Sequence, residues 1–260
     1  MPSDQPEPSP GAETTVMLQQ AAGLQPYEAR YRVFIIDGAE QLSDAAANCL
    51  LKTLEEPPAS VVLVLLASDE QAVLPTILSR CRTYRLRPVD RDVIAEALTS
   101  RYDVVPDRAR LLASCADGAM GWAIAAAKDE GLAEARAARV ETVLGLPGVS
   151  FHERLALSGR LAEEYTRRRE DVFHWLDLWR QSWRDVLLIK GGRETSVVNA
   201  DRLDALRRLA AGCSLQEIAG VLRQGQATSE RLERNANPRL ALDVLVLSVP
   251  AASPVAAAVS

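Results

Sequence analysis

A short apolar run that ends in an acidic residue is the part of the sequence with the plainest chemical potential. Residues 33–36 are Val-Phe-Ile-Ile, and Asp37 follows them. Such a run predicts a strand buried on both faces, as in a parallel sheet covered by helices. The strand would place Asp37 at the carboxyl edge of the sheet, where a carboxylate can hold the Mg²⁺ of a nucleotide through water. Apolar strands that end in Asp are common, so this pattern alone favours an ordinary turn.

Alternating strands and helices surround Asp37. A helix capped by Ser43 is ended by Pro57 and Pro58, because a residue that precedes proline is pushed out of the helical region. The predicted elements are a strand over residues 31–37, this helix, a strand over 61–67, a helix over 74–80 and a third strand candidate over 83–86. At these spacings the order is typical of a parallel βαβ sheet with right-handed crossovers.

After Pro88 the pattern becomes purely helical, so the predicted fold class is α/β plus all-α. Helices are predicted over residues 90–101, 107–116, 120–130, 151–168, 171–190, 200–224 and 238–248. The predicted domain plan is a disordered leader (1–15), a partial α/β domain (16–88, opening with a helix over 16–23), a helical lid (89–130), a connecting helix or linker (131–150), a helical domain (151–250) and a frayed tail (251–260).

Composition excludes several classes of protein. A net charge of −5 argues against strong autonomous binding to nucleic acid. No apolar run reaches the roughly 18 residues of a membrane span, and the N-terminus lacks the pattern of a signal peptide. The four cysteines are far apart, which predicts free thiols in a reducing cytoplasm without a zinc site or a disulfide framework (Cys49, Cys81, Cys115 and Cys213). The two histidines, His152 and His174, lie 22 residues apart and indicate no metal site.

Two further patterns favour structural roles. Trp175, Trp179 and Trp183 recur on one helix face, which predicts a packing seam in a helical core or at a contact with neighbouring domains. Residues 167–169 are three arginines that Glu170 and Asp171 follow at once. This charge balance favours a solvated helix end over a DNA contact.

Longer motifs around Asp37 change its interpretation from an ordinary turn residue to part of a Walker B pattern. Residues 32–58 read RVFIIDGAEQLSDAAANCLLKTLEEPP, and residues 74–86 read LPTILSRCRTYRL. These stretches resemble the AAA+ module of bacterial DNA polymerase III clamp-loader subunits, of which the Leu50–Pro58 stretch and the Ser79-Arg80-Cys81 triplet are specific features. Residues 237–242, Asn-Pro-Arg-Leu-Ala-Leu, resemble the collar helix of the delta-prime type. The resemblance covers roughly residues 16–250.

The resemblance implies a truncated P-loop NTPase-like (AAA+) sheet, a three-helix lid and a C-terminal helical collar. It also implies a degenerate nucleotide site formed by Asp37 and by Ser68 at the sensor 1 position. Gly38 stands where working ATPases have a glutamate, and Gly121 stands where ATP-binding relatives have an arginine. Glu40 lies two residues beyond Gly38 and is assigned no role.

No GxxxxGKS or GxxxxGKT pattern occurs in the sequence. The phosphate loop of the family precedes the first matched residue, so we expect the chain to lack that portion. The sequence leaves open whether this reflects a late start or a loss in the lineage. We expect its absence to expose sheet edges and apolar surface.

The triplet Ser79-Arg80-Cys81 implies an arginine finger. In the family this arginine, here Arg80, enters the nucleotide site of a neighbouring subunit. The implied function is a non-hydrolysing clamp-loader subunit that binds no cofactor itself, with ATP and Mg²⁺ in neighbouring subunits. Its implied partners are the gamma/tau and delta subunits, the sliding clamp and primed DNA. The alternatives are an ATP-binding subunit of the gamma/tau type and a remnant AAA+ interaction module.

Overall fold

A computed structural model describes residue 21 and residues 29–251, and the structural statements below concern these residues. The predicted leader, the helix predicted over 16–23 and the tail over 251–260 lie outside them, apart from Ala21 and Ala251. The chain forms two compact units, residues 1–86 and residues 87–260. In the described part, none of the helices combines the length and apolar character that crossing a membrane requires. The finer domain plan remains a prediction.

The first unit contains the predicted parallel βαβ arrangement. Strand β1 (Arg32–Ile36) pairs in parallel with β2 (Val61–Leu65), and Val33 lies opposite Val62. Helix α1 (Asp44–Glu55) connects the two strands, and the short helix α2 (Pro75–Leu78) follows β2. The strands predicted over 31–37 and 61–67 and the helix capped by Ser43 are therefore confirmed.

Helix α1 begins and ends as its sequence predicts. The Ser43 hydroxyl accepts the backbone N–H of Ala46 at 3.2 Å, and Asp44 places a carboxylate in the first turn, where the helix dipole favours it. The helix ends at Glu55, before the two prolines. Its buried face packs with one face of the sheet and with α2 to form the core of the first unit, which consists of Ile36, Ala39, Leu42, Ala46, Ala47, Leu50, Val73 and Ile77.

The prediction that β1 is buried on both faces is wrong. Val33 is 56% exposed and Ile35 is 66% exposed, whereas Ile36 is buried. Successive side chains of a strand point to opposite faces, and the core of this unit packs against one face only. In the described residues, the sheet therefore packs a core on one face and exposes apolar side chains on the other.

The third strand candidate, residues 83–86, is also a wrong prediction. The backbone there is irregular, and Tyr84 and Leu86 are 71% and 93% exposed. Thr, Tyr and Leu favour a strand locally, but a strand needs a neighbour to pair with its N–H and C=O groups. In the described residues the sheet contains β1 and β2 alone.

The described residues of the second unit are helical. The helices are α3 (Arg91–Tyr102), α4 (Pro106–Cys115), α5 (Met120–Lys128), α6 (Glu130–Gly145), α7 (Phe151–Arg167), α8 (Arg169–Lys190), α9 (Leu203–Gly212), α10 (Leu215–Glu233) and α11 (Pro238–Leu247). They confirm the predicted helices with one major exception, the single helix over residues 200–224.

That stretch forms two helices, α9 and α10, with a break at Cys213 and Ser214. The break is a capping box, in which Glu217 Oε2 accepts the Ser214 N–H at 2.7 Å and the Ser214 hydroxyl accepts the Glu217 N–H at 3.2 Å. A Ser-x-x-Glu pattern before an apolar run is the sequence signature of such a start. The signal was present in the sequence and was missed.

The tryptophan seam lies in the core of the second unit. Trp179 and Trp183 are fully buried, and the Trp179 ring lies 5.3 Å from that of Trp175 and 6.3 Å from that of Trp183, measured between centroids. Helix α10 passes close to this seam at Gly225, where a Cβ atom would lie 3.0 Å from Trp179 Cδ1. Of the two interpretations left open above, the structure selects the core.

A buried carboxylate fixes the loop between α8 and α9. Asp185 of α8 is fully buried and accepts the backbone N–H of Val198 at 3.0 Å, and the backbone N–H and side-chain amide of Asn199 at 2.8 Å each. On the other side of the loop, the Ser114 hydroxyl of α4 donates to the Val198 carbonyl at 2.9 Å. The loop therefore joins the helices that follow Pro88 to the C-terminal helices.

Gly118 occupies a position that only glycine fits well. Its φ angle is +87°, and a Cβ atom there would lie 2.3 Å from the Cβ of Pro88. Its carbonyl also accepts the Val89 N–H at 2.9 Å. A side chain would meet both backbone strain and a collision.

We predict that Gly118→Ala lowers the free energy of unfolding of the second unit by about 2 kcal/mol or more. Gly121→Ala is the matched control, since Gly121 lies in α5 with open space around its missing Cβ. That change should raise the same free energy by about 0.5 kcal/mol. Urea unfolding followed by tryptophan fluorescence measures both, because all four tryptophans lie in this unit. Equal effects of the two substitutions would contradict the prediction.

We also predict that Asp185→Ala destabilises the second unit by about 3 kcal/mol, because the buried N–H groups of Val198 and Asn199 would lose their acceptor. Asp177 lies on the same helix, is exposed and pairs with Arg180. Asp177→Ala should therefore change the unfolding free energy by less than about 0.5 kcal/mol in the same urea experiment. A loss below about 1 kcal/mol for Asp185→Ala would show that this anchor is dispensable.

Candidate functional site

Arg80 lies at the surface of the first unit, directly after α2. Pro75 starts this helix, and the Arg80 N–H continues its last turn by donating to the Ile77 carbonyl at 3.0 Å. The guanidinium folds back over the turn, where Nη1 donates to the Thr76 carbonyl at 2.9 Å. Nε donates to Glu55 Oε1 at 2.8 Å, and Nη2 donates to the same oxygen. The chain thus presents a positive group at its surface, held by an acid from α1.

The two residues that flank Arg80 fix the turn that carries it. The Ser79 hydroxyl donates to the Thr76 carbonyl at 3.1 Å and accepts from Arg80 Nη1 at 3.2 Å. Cys81 packs against the core of the first unit, and burial raises the pKa of its thiol. The triplet therefore combines a polar support, an exposed cation and an apolar anchor within three residues.

Asp37 follows β1, as predicted, and its side chain is exposed. The next residue, Gly38, has a φ angle of +71° and starts the short helical turn Ala39–Gln41. The turn is tied to the end of the other strand, since the Ala39 N–H donates to the Leu66 carbonyl at 2.8 Å. An L-residue at position 38 would be strained in this backbone, so the glycine suits the local geometry at the position where a catalytic glutamate was sought.

Glu40, which sequence reasoning set aside, contacts a predicted site residue. The Ser68 hydroxyl donates to Glu40 Oε1 at 2.6 Å, and the Ser68 N–H donates to it at 3.3 Å. The second carboxylate oxygen of Glu40 is buried and has no hydrogen-bond partner among the described residues. Parallel strands bring their carboxyl ends to one edge of a sheet. This rule alone predicts that the residues after β1 and β2 meet.

The hydrogen bonds to Glu40 control its charge. Partial burial acts to raise the pKa of Glu40, but the hydrogen bond from the Ser68 side chain and two backbone hydrogen bonds outweigh it, and the pKa lies below its ordinary value. Glu40 is therefore a carboxylate at neutral pH. Glu40 accepts the hydrogen bond of the Ser68 hydroxyl, which is the group expected at the sensor 1 position.

Gly121 lies near the start of α5 in the second unit, where the missing Cβ faces open space. The histidines His152 and His174 are both exposed. The described residues contain no group of three His, Cys, Asp or Glu side chains placed to hold a metal ion, and the described cysteines are free thiols.

Comparisons with known proteins match both units to subunits of DNA polymerase III. A family model described as DNA polymerase III, delta subunit, matches residues 6–90. The delta-prime subunit of DNA polymerase III from Bacillus subtilis is 28% identical over 230 residues, which cover 88% of this chain and 69% of that protein. The gamma/tau subunit of Mycobacterium tuberculosis H37Rv is 28% identical over an alignment of 269 positions, which covers 94% of this chain and 46% of that protein.

The chain thus spans less than half the length of the mycobacterial gamma/tau relatives. Among solved structures, a gamma-subunit-related protein from Thermotoga maritima is 20% identical with a TM-score of 0.45, and the match covers 94% of this chain and 80% of that one. The sequence matches confirm the resemblance predicted above.

Because the Ser68 hydroxyl lowers the pKa of Glu40, we predict that Ser68→Ala raises it, as the effect of burial then acts with less opposition. Titration of the glutamate side-chain carboxyl carbons by NMR measures this shift. In the wild type, the depressed pKa contributes stability above the ordinary glutamate pKa, and this contribution is lost as the pH falls through the depressed value. Ser68→Ala should weaken that pH dependence. Ser79→Ala is the control and should leave Glu40 unchanged, whereas an unshifted Glu40 in Ser68→Ala would contradict the assignment.

Proposed function

Because the chain is a delta-prime-like relative of the clamp-loader subunits of DNA polymerase III, we propose that it serves as a non-hydrolysing subunit of a clamp loader. In this role Arg80 enters the nucleotide site of a neighbouring subunit. The complex then opens the sliding clamp and places it on primed DNA. The chain supplies the arginine, and a partner supplies the bound ATP.

The observation that carries this proposal is the position of Arg80. It stands at the surface on a turn that Ser79 supports and Cys81 anchors, and 33% of its side chain is exposed. A guanidinium is permanently charged and presents several N–H groups in one plane, which matches the oxygens of a phosphate. An arginine brought to a γ-phosphate stabilises the charge that develops there during transfer.

Three features of the first unit support a non-hydrolysing role. Gly38 has no side chain that can orient an attacking water, and its positive φ disfavours a glutamate there. Glu40 is bound to Ser68 instead of standing free beside Asp37. We therefore propose that ATP and Mg²⁺ act in neighbouring subunits and that this chain holds neither.

The proposed architecture follows the domain plan predicted from the sequence. Residues 16–88 form a partial AAA+ module with the parallel βαβ sheet, residues 89–130 form a helical lid, and residues 131–150 connect it to the collar. The collar over residues 151–250 joins the chain to other subunits. Its buried tryptophan seam and the Asp185 anchor give it a well-packed core. Such a core would support the surface that contacts other subunits.

The proposed partners are the gamma/tau and delta subunits, together with the sliding clamp. A net charge of −5 supports contact with primed DNA mainly through the complex. The proposed location is the cytoplasm, at the nucleoid.

A second candidate function is an ATP-binding subunit of the gamma/tau type. Alignment of the mycobacterial gamma/tau subunits over 94% of this chain favours it. Equilibrium binding of a fluorescent ATP analogue to the isolated chain separates the two candidates. The proposed role requires no measurable binding, whereas micromolar binding would favour the second candidate. A remnant interaction module would bind neither nucleotide nor the other loader subunits.

We predict that Arg80→Ala slows ATP hydrolysis at the neighbouring site by a factor on the order of 10³ in the reconstituted complex. The lost interaction is between the guanidinium and the γ-phosphate. Single-turnover hydrolysis measures the loss as the fraction of bound ATP that is no longer hydrolysed, which corresponds to the ATP of one site. Arg82→Ala is the matched control, because Arg82 is an exposed arginine two residues away that lies over the Tyr84 ring. Size-exclusion chromatography establishes that both variants assemble, and an unchanged rate for Arg80→Ala would refute the finger.

A further inference from the structure

We propose that Glu55 is a positioning residue that holds Arg80 folded against its own subunit until a phosphate of the neighbouring subunit displaces it. This inference rests on the proposed function of Arg80 and goes beyond it, because it assigns a regulatory role to a glutamate in a different part of the chain. The two residues are 25 positions apart and meet at the surface of the first unit.

The guanidinium is almost fully engaged in the free chain. Nε and Nη2 both donate to Glu55 Oε1, and Nη1 donates to the Thr76 carbonyl and to the Ser79 hydroxyl. These are the N–H groups that would bind a phosphate oxygen. A guanidinium has five N–H donors in a fixed plane, and these four hydrogen bonds leave one free, so Arg80 cannot keep these partners and also bind a phosphate of another chain through two N–H groups. The contact with Glu55 and the contact with a nucleotide therefore compete.

The position of Glu55 favours its pairing with Arg80. Glu55 is the last residue of α1, and Glu56 follows it directly. A carboxylate at a helix C-terminus faces the negative end of the helix dipole, and a second acid beside it adds repulsion. The cation of Arg80 offsets both effects. Pro57 and Pro58 restrict the backbone just beyond, so the acid is held in place next to the turn of α2.

The strength of the pair suits a reversible latch. Half of the Glu55 side chain and a third of the Arg80 side chain are exposed. Exposed ion pairs of this kind are weak, so a phosphate with a higher charge can displace the glutamate. The latch then lowers the affinity of the neighbouring site for ATP. It does not change the rate of ATP hydrolysis once Arg80 contacts the phosphate.

Glu55→Gln tests the latch in the reconstituted complex. We expect the KM for ATP at the neighbouring site to fall about two- to fivefold, which is the range that an exposed ion pair supports. The turnover number at saturating ATP should stay unchanged. The dissociation constant of a non-hydrolysable ATP analogue should fall by the same factor, which gives a measurement independent of hydrolysis.

Glu70→Gln is the matched control, since it removes the same charge in the same unit and breaks a comparable exposed ion pair, the one with Arg85. It should leave KM unchanged. In the double variant Glu55→Gln with Arg80→Ala, the effect of Glu55→Gln on KM should vanish, because the latch acts only through Arg80. Thermal melts of the variants establish that folding is intact, and Glu55→Ala provides a second substitution should Glu55→Gln fold poorly.

The outcomes separate the latch from the finger. If Arg80→Ala slows hydrolysis while Glu55→Gln leaves KM and turnover unchanged, the latch is refuted and the finger stands. If Glu55→Gln lowers the turnover number instead of KM, Glu55 aligns the engaged arginine and the latch is equally refuted. If Arg80→Ala itself leaves the rate of hydrolysis unchanged, the proposed function of Arg80 is refuted. The latch is then refuted with it, because it rests on that function.

Discussion

The parallel pairing of β1 with β2 is the constraint on which the rest of the first unit depends. Five residues of each strand align in register, so both strands end at the same edge. That edge brings the turn after β1 to the residues after β2 and makes the contact between Glu40 and Ser68 possible. Parallel strands also need a long connection between them, and α1 is that connection. Its C-terminal end carries Glu55 to the turn that follows α2, where Arg80 lies.

The second unit depends on a different kind of constraint, a buried charge surrounded by donors. Burying a carboxylate is costly unless hydrogen bonds satisfy it, and Asp185 receives them from the backbone and side chain of one loop. This requirement fixes a segment that has little regular structure of its own. The tryptophan seam on the same helix belongs to the apolar core of this unit, while the carboxylate determines which loop conformation can accompany that core.

Local signals in the sequence were sufficient for strands β1 and β2 and for helix α1. The apolar run before Asp37 predicted the strand but not its exposed face, whereas the Ser43 cap and the prolines after Glu56 predicted where the helix begins and ends. The strand over residues 83–86 failed because a strand is stable only with a paired neighbour, which its own residues cannot specify. The contacts of Glu40 with Ser68 and of Glu55 with Arg80 join residues 28 and 25 positions apart. Such contacts follow from the sheet topology and not from spacing along the chain.

Cys81, the residue that follows Arg80, affects how readily the turn that carries Arg80 can be oxidised. Thiolates, and not thiols, react with peroxides and disulfides, and burial raises the pKa of the Cys81 thiol, which favours the neutral form. A thiolate at this position would add a negative charge one residue from Arg80 and would open a route to sulfenic acid formation. The neutral thiol avoids both. The packing that holds this turn in place therefore also lowers the reactivity of its thiol.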